Sequence, residues 1–196
     1  MFINRTIKDY LDRLSSEQPI PGGGGTSALV GALGIGLIIM VAKIMAGRPE
    51  HANDAKLKEL IQHLIRLRDA AERIVDEDPK VFQDVMNSYK QIKKIQNKKI
   101  GEENLETALG KAFRIQADLC SELTTAKKIL VEVGKIATKS IRNDLVVANA
   151  LLDAAFKGGE STAHINVVCM EKGKKCRHAE HELEKTAEQY QKIKFE

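Results

Sequence analysis

The sequence predicts an all-α protein, a multi-helix bundle built around one central, small-residue apolar helix. Three observations point there. Apolar residues recur at helical spacing over most of the chain, as in Leu57, Leu60, Ile61, Leu64 and Ile65. Only four prolines occur, Pro19, Pro21, Pro49 and Pro79, each where a helix is expected to start or stop. No period-2 run rich in β-branched residues is long enough for a strand.

The 196 residues suit a single domain spanning 1–196, large enough to bury a core without staples. Aromatics are 4% and Trp is absent, so that core must be aliphatic. The net charge of +4 is small and spread along the chain. It attracts a polyanionic ligand only weakly, and it lacks the clustered charge and stacking aromatics of a nucleic-acid binder. Three cysteines fit a reducing compartment better than a disulfide framework. The charged N-terminus lacks the apolar core of a signal peptide. A cytoplasmic location follows as the expectation. The uncharged run from Ala28 to Ala42 falls short of the ~20 residues a bilayer requires. It reads as a buried core helix, not a membrane span.

Taken in order, the first helix runs from Asn4 or Thr6 to Leu14, with Ile7, Leu11 and Leu14 as its stripe. A loop carries Pro19, Pro21 and Gly22 to Gly25. The second helix spans Thr26 to Ala46 and is apolar on nearly every face, which places it centrally. Its small residues Ser27, Ala28, Gly31, Ala32 and Gly36 suit a close neighbour, including one from a second subunit. A third helix spans Asn53 to Val75. A fourth is expected to open with Asp78 as N-cap and Pro79 at its first position, and to reach Ile95 before Gly101 breaks the chain. A fifth runs from Glu103 to Lys139. A sixth runs from Asn143 to Phe156 and stops at Gly158-Gly159. The last covers Ser161 to Ile193, with a break near Gly173.

The sharpest feature is Pro21-Gly22-Gly23-Gly24-Gly25 directly before the apolar helix. Four glycines are entropically costly to order, which suits a loop where backbone must approach a ligand or another chain. It ends at a helix N-terminus, where free N–H groups favour an anion or a carbonyl edge. A hinge or tight turn explains the same glycines. No Lys-Ser/Thr follows, so it is not a Walker loop.

The stretch PIPGGGGTSALVGALGIGLIIMVAKIMAGR resembles the signature of the formiminotetrahydrofolate cyclodeaminase and methenyltetrahydrofolate cyclohydrolase family. Asp78-Pro79-Lys80-Val81-Phe82, Asn143-Asp144 through Ala148, and Ile165-Asn166-Val167 resemble later elements of the same family. The chain departs from the pattern at Gly25, Ile44-Met45, Arg48-Pro49 with His51, and Asn143. The resemblance implies an all-helical homodimer acting on the N5/N10 edge of a tetrahydrofolate, with that folate as substrate and no metal or redox cofactor. The expected reaction closes 5-formiminotetrahydrofolate to 5,10-methenyltetrahydrofolate and releases ammonia. The alternatives are hydrolysis of the methenyl compound to 10-formyltetrahydrofolate, or a non-catalytic folate-binding relative.

Either reaction crosses a tetrahedral carbon and needs one positioned proton carrier. The resemblance makes Asp144 the first catalytic candidate, although an acid at a helix start also serves as a cap. Lys43, closing the apolar helix, is the second, although helix-end lysines commonly snorkel. Pro21, Gly22, Gly23, Gly24, Gly25, Asp78, Asn143 and Asn166 are the expected substrate-binding residues. Lys90, Lys93, Lys94, Lys98 and Lys99, and also Lys172, Lys174, Lys175 and Arg177, read as solvated helix faces. Cys169, Cys176, His178 and His181 lack zinc-site spacing, so no metal is expected.

Overall fold

The computed structural model describes residues 1–92 and 98–195. It has six α-helices: α1 (Ile7–Leu14), α2 (Gly23–Ala46), α3 (Ala55–Ile92), α4 (Lys98–Ile136), α5 (Lys139–Val168) and α6 (Lys174–Lys192), with a 3₁₀ turn at Pro49–His51. No strand occurs among the described residues. Lys93 and Lys94, and the expected helix end near Ile95, lie outside them.

The central helix is as the sequence predicts. α2 packs against α3, α4 and α5, and Ala28, Ile35, Ile38, Val41 and Ala42 are fully buried. α5 runs antiparallel to it, because Ser27 meets Gly158, Gly31 meets Ala155, and Gly34 meets Leu151 and Leu152. By length and composition alone α2 would cross a bilayer, but 56% of its apolar window is buried inside the bundle. A second apolar cluster, with Phe113 of α4, Val167 of α5 and Leu183 of α6, docks α6 on the α4–α5 pair.

Several expected boundaries are overturned, and packing is the reason each time. The glycine stretch is not a loop. Gly22 is the N-cap with extended backbone, and Gly23 to Gly25 form the first turn of α2. Asp78 does not cap a new helix. α3 continues through Pro79, which is buried. A proline there cannot donate to the Val75 carbonyl, a loss of roughly 3 kcal/mol in an exposed helix. Here Gly25 of α2 packs over that carbonyl, so close that a Cβ would stand 3.3 Å from the oxygen. α3 starts instead at Ala55, where Asp54 caps it: the Asp54 carboxylate accepts from the Leu57 N–H at 2.9 Å.

Gly101 does not break the chain either; it lies within α4, against Ile92. α5 begins after Thr138, so Asn143 and Asp144 sit in its second turn and open nothing. It then passes through Gly158-Gly159, where two helix crossings select glycine. The break near Gly173 does occur, and Gly173 is the N-cap of α6.

Candidate functional site

A helix beginning on glycine has no side chain to satisfy its own first N–H groups. In α2 another helix supplies the partner. The Gly25 N–H donates to Asp78 Oδ2 of α3 at 2.9 Å. Asp78 Oδ1 in turn accepts from Gln116 Nε2 of α4 at 2.7 Å. The glycines allow this approach. A Cβ on Gly24 would stand 2.2 Å from Asp78 Oδ1 and 2.4 Å from Gln116 Nε2, so any side chain there would displace both groups. Gly23 faces the other way, into open space. Around the turn, the Thr26 hydroxyl meets the Tyr10 hydroxyl of α1 at 3.2 Å, and Ser27 Oγ donates to the Gly23 carbonyl at 2.8 Å.

Asp78 is half-buried. Burial pushes its carboxyl above the ordinary range, while the Gly25 N–H and the Gln116 amide pull it back. Burial and the Asp78 charge push the Tyr10 phenol up as well. The neighbouring Cys120 is no nucleophile, because burial and the Glu160 charge push its thiol up to about 12. A carboxyl held between desolvation and two donors at a helix N-terminus caps that helix and has the chemistry to accept and return a proton.

Residues 6–185 match the family model for formiminotransferase-cyclodeaminase. The chain belongs to the formiminotransferase-cyclodeaminase family. It is 30% identical over 176 residues to a methenyltetrahydrofolate cyclohydrolase of Methylorubrum extorquens, covering 87% of this chain and 81% of that protein. It is 23% identical over 164 residues to a formimidoyltransferase-cyclodeaminase of Dictyostelium discoideum, covering 83% of this chain but only 30% of that longer protein. In fold it matches the crystal structure of a Thermotoga maritima formiminotetrahydrofolate cyclodeaminase. There the TM-score is 0.86 at 21% identity, with 96% of this chain and 91% of that chain covered.

This family member divides its sequence-predicted site residues between the two ends of α2. Pro21, Gly22 to Gly25 and Asp78 gather at the N-terminal end. Lys43 lies 19 residues beyond Gly24 on the same helix, or ~28 Å away at the α-helical rise. Asp144 lies 14 residues before the Gly158 crossing, ~21 Å along α5. The antiparallel register therefore sets Asn143 and Asp144 beside the Lys43 end. Lys43 and Asn143 are exposed and Asp144 is half-buried. Within one chain neither Asp144 nor Lys43 reaches the glycine turn. Asn166 sits near the end of α5, its amide donating to its own helix at the Thr162 carbonyl, 2.9 Å away. Lys90, Lys98 and Lys99 are exposed, as a solvated face requires. No group of metal-ligating side chains gathers among the described residues.

Two polar groups went unmarked by motif reasoning. Gln116 is fully buried. Lys127, with 8% of its side chain exposed, pairs with Asp153 of α5 at 2.5 Å and lies 4.2 Å from the Tyr190 ring centre. Tyr190 of α6 donates to the same Asp153 oxygen at 2.8 Å and stacks on Phe156. The available signal was register: Gln116, Cys120, Leu123 and Lys127 follow one another at helical spacing on the buried stripe of α4.

Proposed function

We propose that this chain hydrolyses 5,10-methenyltetrahydrofolate to 10-formyltetrahydrofolate. The observation that carries this reading is the 30% identity across 81% of the Methylorubrum cyclohydrolase. Sequence motifs alone put the cyclodeaminase first; that likeness reverses the order. The cyclodeaminase reading keeps support from the Dictyostelium relative at 23% identity.

The chemistry asks little of the protein. Water adds to the cationic methenyl carbon and gives up one proton. The carbon–N5 bond then breaks, N5 takes a proton, and the second water proton leaves to solvent as the formyl carbonyl forms on N10. Asp78 is the proposed carrier: it accepts from water and returns the proton to N5. Its negative charge also favours the bound amidinium cation. In the cyclodeaminase reading the same carboxyl protonates departing ammonia. The folate carbon keeps its oxidation level in both, so neither reaction calls for a redox cofactor.

The working unit in this reading is a homodimer. α2 leaves one face uncovered: Leu33 is 56% exposed, Ile44 43% and Met40 39%, and Leu29, Val30 and Leu37 are partly exposed. Gly36 lies at the middle of this face, and a Cβ there would meet nothing. A two-fold axis at Gly36 would pair the stripe with its own copy, antiparallel. The Lys43–Asp144 end of one chain would then approach the glycine turn of the other. That arrangement reunites residues a single chain holds apart. The three free cysteines, Cys120, Cys169 and Cys176, fit a reducing, cytoplasmic setting.

The test supplies each folate separately and follows methenyltetrahydrofolate absorbance. Loss of the methenyl signal above the buffer rate is the expected result. A rising signal with the formimino substrate, together with ammonia, would assign the cyclodeaminase instead. Tight binding by calorimetry with no turnover of either would leave a folate-binding protein.

A further inference from the structure

We propose that Gln116 is a positioning residue, which fixes the Asp78 carboxyl against the start of α2 and holds it as a proton acceptor. The inference rests on reading Asp78 as the proton carrier.

Gln116 is an expensive way to fill its space. It is fully buried, on a stripe of α4 shared with Ala112, Leu119, Cys120 and Leu123. A leucine or methionine would occupy that volume without desolvating an amide. Only half of the amide is used. Nε2 donates to Asp78 Oδ1 at 2.7 Å, while Oε1 is buried with no partner. The orientation follows from the carboxylate, which when ionised can only accept. An orphaned carbonyl costs stability, so what the side chain contributes is the donor.

Two other helices make room for it. Gly24 of α2 is required where a Cβ would reach within 2.4 Å of Nε2. Gly159 of α5 faces the other end, its Cβ position 3.6 Å from Oε1 and 3.2 Å from Cys120 Sγ. Glycines on two helices thus converge on a single amide of a third.

The choice of an amide has a consequence for titration. Gln116 carries no charge at any working pH, so it steadies Asp78 without a titration of its own. Across element boundaries, the titratable group interacting with Asp78 among the described residues is Tyr10 of α1; α2 presents Thr26 and backbone N–H groups, and α4 presents Gln116. On α3, Asp76 is turned to the Phe2 N–H. With Gly25 bonded to one oxygen and Gln116 to the other, the carboxyl is fixed in its plane and burial is opposed by two donors.

The experiment compares wild type with Gln116→Met, which keeps length and volume but removes the donor. Expected are a fall in kcat of roughly tenfold or more, a nearly unchanged KM, and an upward move of the acid limb of the kcat–pH profile. The loss is expected to vanish in an Asp78→Asn background, where the donor has no carboxylate to hold. Active wild type with an unmoved acid limb in Gln116→Met overturns the proposal and leaves the folate reading standing. If wild type turns over neither folate, that reading fails by itself, and the Asp78 carboxyl titration followed by ¹³C NMR decides. An upward shift in Gln116→Met then supports the positioning role, and no shift refutes it. Should Gln116→Met fail to fold, Gln116→Asn, with its amide drawn back by one methylene, undergoes the same titration with the same two outcomes.

Discussion

Gly158 of α5 lies against Ser27 of α2 so closely that a Cβ on the glycine would stand 2.1 Å from the serine Oγ and 3.2 Å from its Cβ. The same hydroxyl donates to the Gly23 carbonyl at 2.8 Å, so this crossing braces the glycine turn. Gly158→Ala should therefore cost about 1–3 kcal/mol through overpacking, despite the better helix propensity of alanine. Adding Ser27→Gly removes both contacts and should recover part of the loss. Urea unfolding midpoints of the two variants measure this, and a single variant as stable as wild type would mean the helices are not in contact there.

That crossing also shows what the sequence could and could not display. Helix-forming periodicity and the apolar character of α2 are local properties, and they made the bundle and its central helix legible. Glycines and Pro79 are ambiguous, because a residue that breaks an isolated helix also marks where two packed helices touch. Gly158-Gly159 and Asp78-Pro79 read as boundaries for that reason, and tertiary contacts with Ser27, Cys120 and Gly25 turned them into helix interiors. Asp78 was visible as a candidate, but its bond to Gln116 spans 38 residues and no local pattern encodes it. Asp144 matched a family motif, while its distance from the glycine turn depends on the antiparallel α2–α5 register.

The Lys127–Asp153 pair is asymmetric in burial, with 8% of one side chain exposed and 46% of the other. Its two halves should therefore respond unequally. Asp153→Ala strands an ammonium in the core, and the loss of one partner of such a pair costs about 3–5 kcal/mol. Lys127→Met leaves a carboxylate that water, Tyr190 and Asn149 still satisfy, and should cost about 1 kcal/mol. Thermal unfolding of the two variants ranks them; equal losses would contradict the asymmetry.

Glu122 gives a pH signature to stability. Burial, with a smaller push from Asp118 and an opposing pull from Arg73, raises its carboxyl from 4.5 to about 7. One of its oxygens is buried without a partner. Between those values the folded state binds more protons than the unfolded chain, so this group makes stability fall as pH rises and level off above pH ~7. Glu122→Gln should be more stable than wild type at pH 8, with the difference closing toward pH 4.5. Denaturant titrations at both pH values check the sign, and a gap that widened on acidification would reverse it.

The uncovered face of α2 predicts a concentration-dependent assembly. Leu33→Glu puts a charge on the most exposed leucine of the stripe and should convert the proposed dimer to monomer in sedimentation velocity, with the helical circular dichroism unchanged because Leu33 is 56% exposed within one chain. If the site is completed by a second copy, turnover should fall in parallel with the dimer fraction. A monomeric variant retaining full turnover would confine the chemistry to one chain and to Asp78.

Asp78→Asn and Asp144→Asn separate the two carboxyl candidates. At position 78 an asparagine keeps an acceptor for the Gly25 N–H, and its NH₂ can meet the Gln116 carbonyl once that amide turns over, which exchanges an unpartnered Oε1 for an unpartnered Nε2 and leaves the number of orphaned atoms the same. Stability should therefore change little, while turnover falls ~10²–10⁴-fold through loss of the proton carrier. The wild-type rate should also decline as pH drops through the Asp78 titration, because burial lifts that carboxyl above its ordinary range and the acceptor is lost on protonation. If Asp144→Asn instead abolishes turnover while Asp78→Asn does not, the proton passes through the far end of α2, and the glycine turn becomes a structural cap alone.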